Sequence, residues 1–374
     1  SRAVSSQLAA GIKALMKKNK VTVFDGYGSI AKDKIINIDN KGEKSSIKVS
    51  NIIIATGARA RILPGYEPDG KLVLTYREAM VPTQMPKSLI IVGSGAIGIE
   101  FASFYKTLGA EVTVVEAQDR ILPVEDKEIS DLARKSFEKQ GINFITSAKL
   151  GKLTKHKDSV ELEVEGHKAL KADRIIMAVG IVGNIENIGL EHTKVKTDRG
   201  HIVTKDNTQT DELGIYAIGD VAGAPWLAHK ASHEGIICAE HIAGLKTHPI
   251  KKGNIPGCTY SMPQIASVGM TEEAAKAAGH EIKVGRFPFM ANGKAIALGE
   301  TNGLVKTIFD VKTGELLGAH MIGAEVTELI QGYVIGKSLE ATELDFMHTI
   351  FPHPTLSEMM HESVLNAYAK AIHI

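Results

Sequence analysis

The chain has 374 residues, and 44 lysines and arginines against 43 aspartates and glutamates leave a formal net charge of +1. That balance gives no electrostatic footprint for nucleic acid, and pairs such as Lys17-Lys18 and Lys251-Lys252 read as solvated surface. The length suffices for two or three domains, while the longest apolar runs, Ile52-Ile53-Ile54-Ala55 and Ile175-Ile176-Met177-Ala178-Val179, are strand-length and exclude a membrane-spanning helix.

The chain reads first as an amphipathic helix (Val4, Leu8, Ile12, Leu15), with no secretory signal ahead of it. Short strands follow at Val21 to Phe24, Ile35 to Ile38 and Ser46 to Val49. Asn51-Ile52-Ile53-Ile54-Ala55-Thr56-Gly57 then reads as a strand buried on both faces of a parallel sheet, ending in a glycine turn. Proline and glycine gather at joints such as Pro64-Gly65, Pro82 and Pro86, as hinges require.

Ser88-Leu89-Ile90-Ile91-Val92 runs into Gly93-Ser94-Gly95-Ala96-Ile97-Gly98, and helical spacing continues from Ile99 to Leu108. A second strand, Glu111 to Val115, ends on Glu116, roughly twenty residues after the first glycine. Together these form a whole dinucleotide-binding unit. Gly93 permits the tight turn, Gly95 lets backbone approach a pyrophosphate, and Gly98 lets helix pack on strand. Free N–H groups at the helix start attract the diphosphate. Glu116 can accept both hydroxyls of an adenosine ribose and would repel a 2′-phosphate, so NAD is expected rather than NADP.

Beyond it come a helix from Glu128 to Gln140 and two further strand-to-glycine endings, Ala178-Val179-Gly180 and Ala217-Ile218-Gly219-Asp220. Helices are expected from Leu227 to Ile242, Thr271 to Ala278 and Glu325 to Gly336, with one more at the end of the chain. Cys238 and Cys258 lie far apart without metal-ligand spacing, which suits a reducing compartment and two small core residues; no metal site is expected. The alternation argues for an α/β protein with parallel sheets followed by an α+β unit. Thr355-Leu356-Ser357-Glu358 has the pattern of a capping box, so Glu358 could reach back to a helix start. Equally, Glu358 could orient His353 as a base, and the residues alone leave the two readings even.

The three strand-to-glycine endings around Gly93 to Glu116, with Val115 to Pro123, Leu227-Ala228-His229-Lys230-Ala231 and His353-Pro354-Thr355-Leu356-Ser357-Glu358, make the whole chain resemble the flavin-dependent pyridine nucleotide-disulfide oxidoreductases, most of all those that oxidise protein-bound dihydrolipoamide. The resemblance implies Rossmann-like FAD- and NAD-binding domains, the FAD part incomplete, plus a C-terminal α+β dimerisation domain. The divisions are a partial FAD-binding domain over 1–58, an NAD-binding domain over 59–183, a central FAD-contacting domain over 184–251 and an interface domain over 252–374. It implies that Gly93, Ser94, Gly95, Ala96, Ile97, Gly98, Ile99, Glu100, Glu116, Leu150 and Gly180 surround NAD, and that Gly28, Thr56, Gly57 and Ala58 lie along FAD. Asp220 would accept a hydroxyl of the flavin's ribityl chain, and Trp226, Leu227, Ala228 and His229 would run beside its ring. His353 becomes the base for the substrate dithiol and Glu358 its orienting group, delivered across a homodimer interface. The implied partner is the lipoyl-bearing acyltransferase of 2-oxoacid dehydrogenase complexes, in bacterial cytoplasm or mitochondrial matrix.

Family members begin with a further Gly-x-Gly-x-x-Gly and a Cys-x-x-x-x-Cys pair, and neither occurs here. Roughly ninety residues are therefore expected ahead of Ser1, the length of a βαβ start with its connection. Expressed without them, the chain is expected to hold no stoichiometric FAD and to lack lipoamide activity. Gly180-Ile181-Val182-Gly183-Asn184 also departs from a usual arginine and proline. Glu116 disfavours the NADP-dependent glutathione and mercuric reductases, and His353 with Glu358 disfavours NADH oxidases. A non-catalytic NAD-binding scaffold is the alternative from a different class.

Overall fold

In the computed structural model, which describes residues 2–374, the chain gathers into two compact units. One takes the chain up to Ala58 together with Val182–Pro249; the other takes Arg59–Ile181 and Ile250–Ile374.

The second unit is built on a parallel sheet in the order Val73–Leu74, Arg174–Met177, Ser88–Val92, Glu111–Val115, Asn143–Ile145. Ser88–Val92 lies in the middle, and Leu89 to Val92 are all buried. Burial on both faces is why this strand reads as an unbroken apolar run rather than an alternation. Helix Ala96–Thr107 follows the glycine turn, and helix Lys127–Lys139 follows the second strand, its Glu128 N–H donating to the Asp126 side chain. A small antiparallel sheet, Leu150–Lys155, Val160–Val164 and Leu170–Ala172, packs on the same core.

A five-stranded antiparallel sheet completes this unit, in the order Gly257–Thr259, Gln264–Gly269, Leu316–Gly323, Leu304–Asp310, Ile282–Pro288. Helices Val326–Ser338 and Glu358–Ala367 bury Tyr333, Met359 and Val364 against Phe287, Phe309 and Met321. The two sheets share a core, since Leu89, Ile91 and Ile99 cluster with Ile265, Leu304 and Ile322.

Charge joins them as well. Lys306, only 2% exposed, places Nζ 2.8 Å from Asp126 Oδ1, 2.8 Å from Glu272 Oε2 and 3.1 Å from Glu128 Oε2. Arg286 closes the network on Glu128 and Glu272. Burial pushes the Asp126 carboxyl up, but the Lys306 ammonium and the Glu272 N–H outweigh it and hold it below the usual range.

The first unit holds helix Arg2–Lys18, none of whose residues is buried, and an antiparallel sheet of Tyr27–Ala31, Ile35–Asn40 and Glu43–Lys48. Ile52–Ile54 pairs in parallel with Ile215–Ala217, and helix Ala228–Ile242 follows a one-turn 3-10 segment, Gly219–Ala222. Its core is formed by Ile30, Ile52, Ile54, Ile188, Ile202 and Ile215.

Two local expectations are corrected. Val21 to Phe24 is not a strand; the strand begins at Tyr27, and Val21, Val23 and Phe24 are exposed. β-rich composition makes a strand only where a neighbouring edge supplies hydrogen bonds. Ile52–Ile54 is buried on one face only: Ile52 and Ile54 point into the core while Ile53 is 41% exposed.

Candidate functional site

The glycine turn has the geometry that its sequence required. Gly93 sits at φ +100°, and a Cβ there would collide with the Ala178 carbonyl oxygen, while one at Gly98 would collide with the Gly93 carbonyl oxygen. Both glycines are thus fixed by the protein's own packing. Gly95 is different: its φ of −66° suits any residue, and a Cβ would meet nothing within 4 Å. The fold does not need a glycine at this helix N-cap, so the open space is room for something outside the chain. The N–H groups of Ala96, Ile97 and Gly98 begin the helix, and Ala96 and Ile97 are exposed. This arrangement fits a dinucleotide diphosphate. Gly95→Ala is accordingly expected to leave the thermal unfolding midpoint unchanged while weakening NAD by more than about tenfold, read by calorimetry. Gly93→Ala is expected to lower both.

Glu116 is buried at the end of the second strand. Its Oε2 accepts the Ser94 N–H and the Ser94 hydroxyl, each at 2.7 Å, and its Oε1 accepts the Gln118 N–H at 2.8 Å. Ser94 is wholly buried, so both of its donors serve Glu116 and neither is left for a dinucleotide. The carboxylate is pinned beside the turn, with about one of its four acceptor positions still open. Glu100 faces away from the turn in its bonding: it accepts the Tyr260 N–H at 2.9 Å, and burial pushes its carboxyl up. Ile99 is core, Leu150 packs half-buried at the start of the small sheet, and Gly180 is exposed at φ +100°.

In the first unit, Thr56 and Gly57 end their strand in a reciprocal tie. The Thr56 hydroxyl donates to the Asn184 carbonyl at 2.7 Å, and the Asn184 amide and N–H donate to the carbonyls of Thr56 and Gly57. Ala58 follows half-buried, and Gly28 lies opposite Ile38 in the exposed antiparallel sheet. Gly219 at φ +74° turns the neighbouring strand into the short segment carrying Asp220. The Asp220 carboxylate is half-buried and bonded to no other described residue, although its backbone carbonyl accepts the Gly223 N–H. A carboxylate held this way fits a polyhydroxylated chain such as the ribityl arm of a flavin. Trp226 is fixed by His201, with its indole N–H 3.2 Å from Nε2. Leu227 caps helix Ala228–Ile242, which begins with Ala228 and His229 on the surface.

His353 and Glu358 stand at the start of helix Glu358–Ala367, whose N-cap is Ser357 without a side-chain cap bond. The expected capping box does not form, and Glu358 instead ties the turn ahead of the helix to His353. Its Oε2 accepts the Thr355 N–H at 2.9 Å, while its Oε1 lies 2.9 Å from His353 Nδ1. Burial raises the Glu358 carboxyl, but the Thr355 N–H and His353 outweigh it and hold it below the usual range. An ionised Glu358 keeps the proton on Nδ1, which leaves Nε2 as the acceptor. The imidazole is 79% exposed, so Nε2 is open to a proton donor from outside the chain.

Residues 2–235 match the family model described as pyridine nucleotide-disulphide oxidoreductase, and residues 255–364 match the dimerisation domain of the same family. The chain belongs to the pyridine nucleotide-disulphide oxidoreductases. Among its relatives, the dihydrolipoyl dehydrogenase of Rhizobium etli is 56% identical across 100% of this chain and 82% of its own length. That of Zymomonas mobilis is 53% identical over 100% and 81%, and that of Bacillus subtilis 47% identical over 100% and 81%. The crystal structure of LpdA from Mycobacterium tuberculosis superposes with a TM-score of 0.91 at 28% identity, covering 97% of this chain and 81% of that one. The expected family, its α/β fold and an oxidoreductase activity are thereby borne out. Among the described residues no helix is long and apolar enough to cross a membrane.

Proposed function

We propose that this protein oxidises protein-bound dihydrolipoamide with NAD as electron acceptor, using FAD and a redox disulfide, and works as a homodimer. The observation that carries this reading is the exposed His353 imidazole, oriented through Nδ1 by Glu358. A base so presented suits a thiol brought by another molecule, here the dihydrolipoyl arm of an acyltransferase in a 2-oxoacid dehydrogenase complex. The relatives named dihydrolipoyl dehydrogenase, bacterial ones and one from pea mitochondria, support the same substrate and a bacterial cytoplasm or mitochondrial matrix.

His353 Nε2 takes the proton of a dihydrolipoyl thiol, and Glu358 stabilises the imidazolium that results. The thiolate formed is the species that attacks a disulfide. Cys238, buried, and Cys258, half-buried, are both free and do not supply that disulfide. Bound FAD supplies two-electron transfer between thiol and nicotinamide. Asp220, Thr56, Gly57 and Ala58, with Gly28, would hold the flavin, and Trp226 to His229 would flank it. A glycine-rich turn for the flavin's diphosphate is not among these 374 residues. The glycine turn of Gly93 to Gly98 would hold the NAD diphosphate, and Glu116 would select its ribose. We assign residues 1–58 and 184–251 to the flavin side, 59–183 to NAD and 252–374 to the dimer interface, across which His353 serves the partner subunit.

Because Glu116 is pinned by Ser94 and cannot swing aside, NAD is expected to bind more than about tenfold tighter than NADP, since facing a phosphate across a buried carboxylate costs over about 1.4 kcal/mol. Equal affinities in calorimetric titrations of the two would remove Glu116 from this role. The activity itself is tested by NADH formation from dihydrolipoamide in the full-length, flavin-loaded protein.

A further inference from the structure

Lys230 and Glu234, one turn apart on helix Ala228–Ile242, form an ion pair of 2.9 Å with side chains only 6% and 14% exposed. Burying such a pair is costly unless every remaining donor and acceptor is met. Here each is met by one short piece of backbone. Lys230 Nζ donates to the Gly223 carbonyl at 2.9 Å and, at 3.4 Å, to the Gly219 carbonyl. Glu234 Oε2 accepts the Gly219 N–H at 2.7 Å. The pair therefore grips Gly219 and Gly223, the two ends of the turn, and leaves Asp220 between them with an unengaged carboxylate.

Backbone demands explain why the grip is needed. Gly219 and Gly223 take φ of +74° and +94°, so the single 3-10 turn is flanked at each end by a conformationally permissive residue. Without external ties a segment with a flexible glycine at each end samples many directions for Asp220, and ordering it on binding would weaken the ligand. Lys230 and Glu234 supply those ties as charge-assisted bonds, which are stronger than neutral ones.

We propose that Lys230 and Glu234 are positioning residues for the flavin: they hold the Gly219–Gly223 turn so that the Asp220 carboxylate is fixed in the direction that accepts a ribityl hydroxyl. This rests on the flavin role proposed above for Asp220. It predicts a coupling that a residue serving only the fold would not show, because the clamp's effect on flavin must pass through Asp220.

The test is a double-mutant cycle on FAD affinity in the full-length protein, using Lys230→Met/Glu234→Gln, Asp220→Asn and the combination. Glutamine at 234 still accepts the Gly219 N–H, and removing both charges together leaves no buried ion unpaired. The clamp variant is expected to bind FAD about tenfold or more weakly. With Asp220→Asn already in place, the same change is expected to cost little further. NAD affinity, read by calorimetry, is expected to stay unchanged and to report that the chain remains folded. Fully additive losses, or unchanged FAD affinity in the clamp variant, would overturn the positioning role. A full-length parent protein, carrying the segment expected ahead of Ser1, that takes up no FAD at all would instead sink the flavin reading, and this inference with it.

Discussion

In the full-length enzyme, His353→Gln is expected to cut dihydrolipoamide oxidation by roughly 10²-fold or more, the usual worth of a general base. Electron transfer from NADH to a dye through the flavin is expected to survive, since no thiol proton moves in that reaction. The separation follows from geometry: Nε2 is open to substrate, while Nδ1 is the atom spent on Glu358. Glu358→Gln should show a milder loss of the same kind, because glutamine can still bond to Nδ1 but cannot stabilise an imidazolium as a carboxylate does. It still leaves an acceptor for the Thr355 N–H, so the turn ahead of the helix should persist. Parallel loss of both activities in His353→Gln would make His353 a structural residue.

The other large effect concerns stability. Lys306→Met leaves Asp126 with no ion-pair partner, while Glu128 keeps Arg286 and Glu272 keeps Arg286 and Lys276. Breaking a buried ion network from one side typically costs about 3–5 kcal/mol, which a urea unfolding midpoint would register. The pH dependence has a definite sign. In the parent protein the Asp126 and Glu272 carboxyls are held below their usual range, burial being outweighed for Asp126 by Lys306 and for Glu272 by Lys276 and Lys306 together. Their contribution is therefore present above the ordinary carboxylate range and is lost as pH falls through the lowered values. Acidification should thus destabilise the parent more than Lys306→Met, and the two stability curves should converge at low pH. A constant gap between them would mean that Lys306 acts by packing alone.

What the sequence made legible was local. The strand, glycine turn, helix and acid of Ser88 to Glu116 carry their own constraints within one short stretch, and three of the strand-to-glycine endings could be read because glycine is the residue that tolerates positive φ. His353 and Glu358 were legible as a pair because five residues separate them across a helix start. The unread parts join distant segments. Lys306 meets Asp126 across 180 positions, and Glu100 meets Tyr260 across 160. Lys230 and Glu234 form a buried pair that spacing alone does not reveal, because it does not say which face of helix Ala228–Ile242 is buried. Val21 to Phe24 misled for the opposite reason: its composition was right and its partner edge was missing.

The most direct test of the function is a steady-state assay of the full-length, flavin-loaded homodimer with dihydrolipoamide and either NAD or NADP, following reduced nicotinamide by absorbance. Rapid formation of NADH that depends on dihydrolipoamide, with NADP turning over more than about tenfold less efficiently, is the expected result. No dihydrolipoamide-dependent reduction of NAD, alongside efficient NADPH-linked reduction of another disulfide such as glutathione, would contradict it.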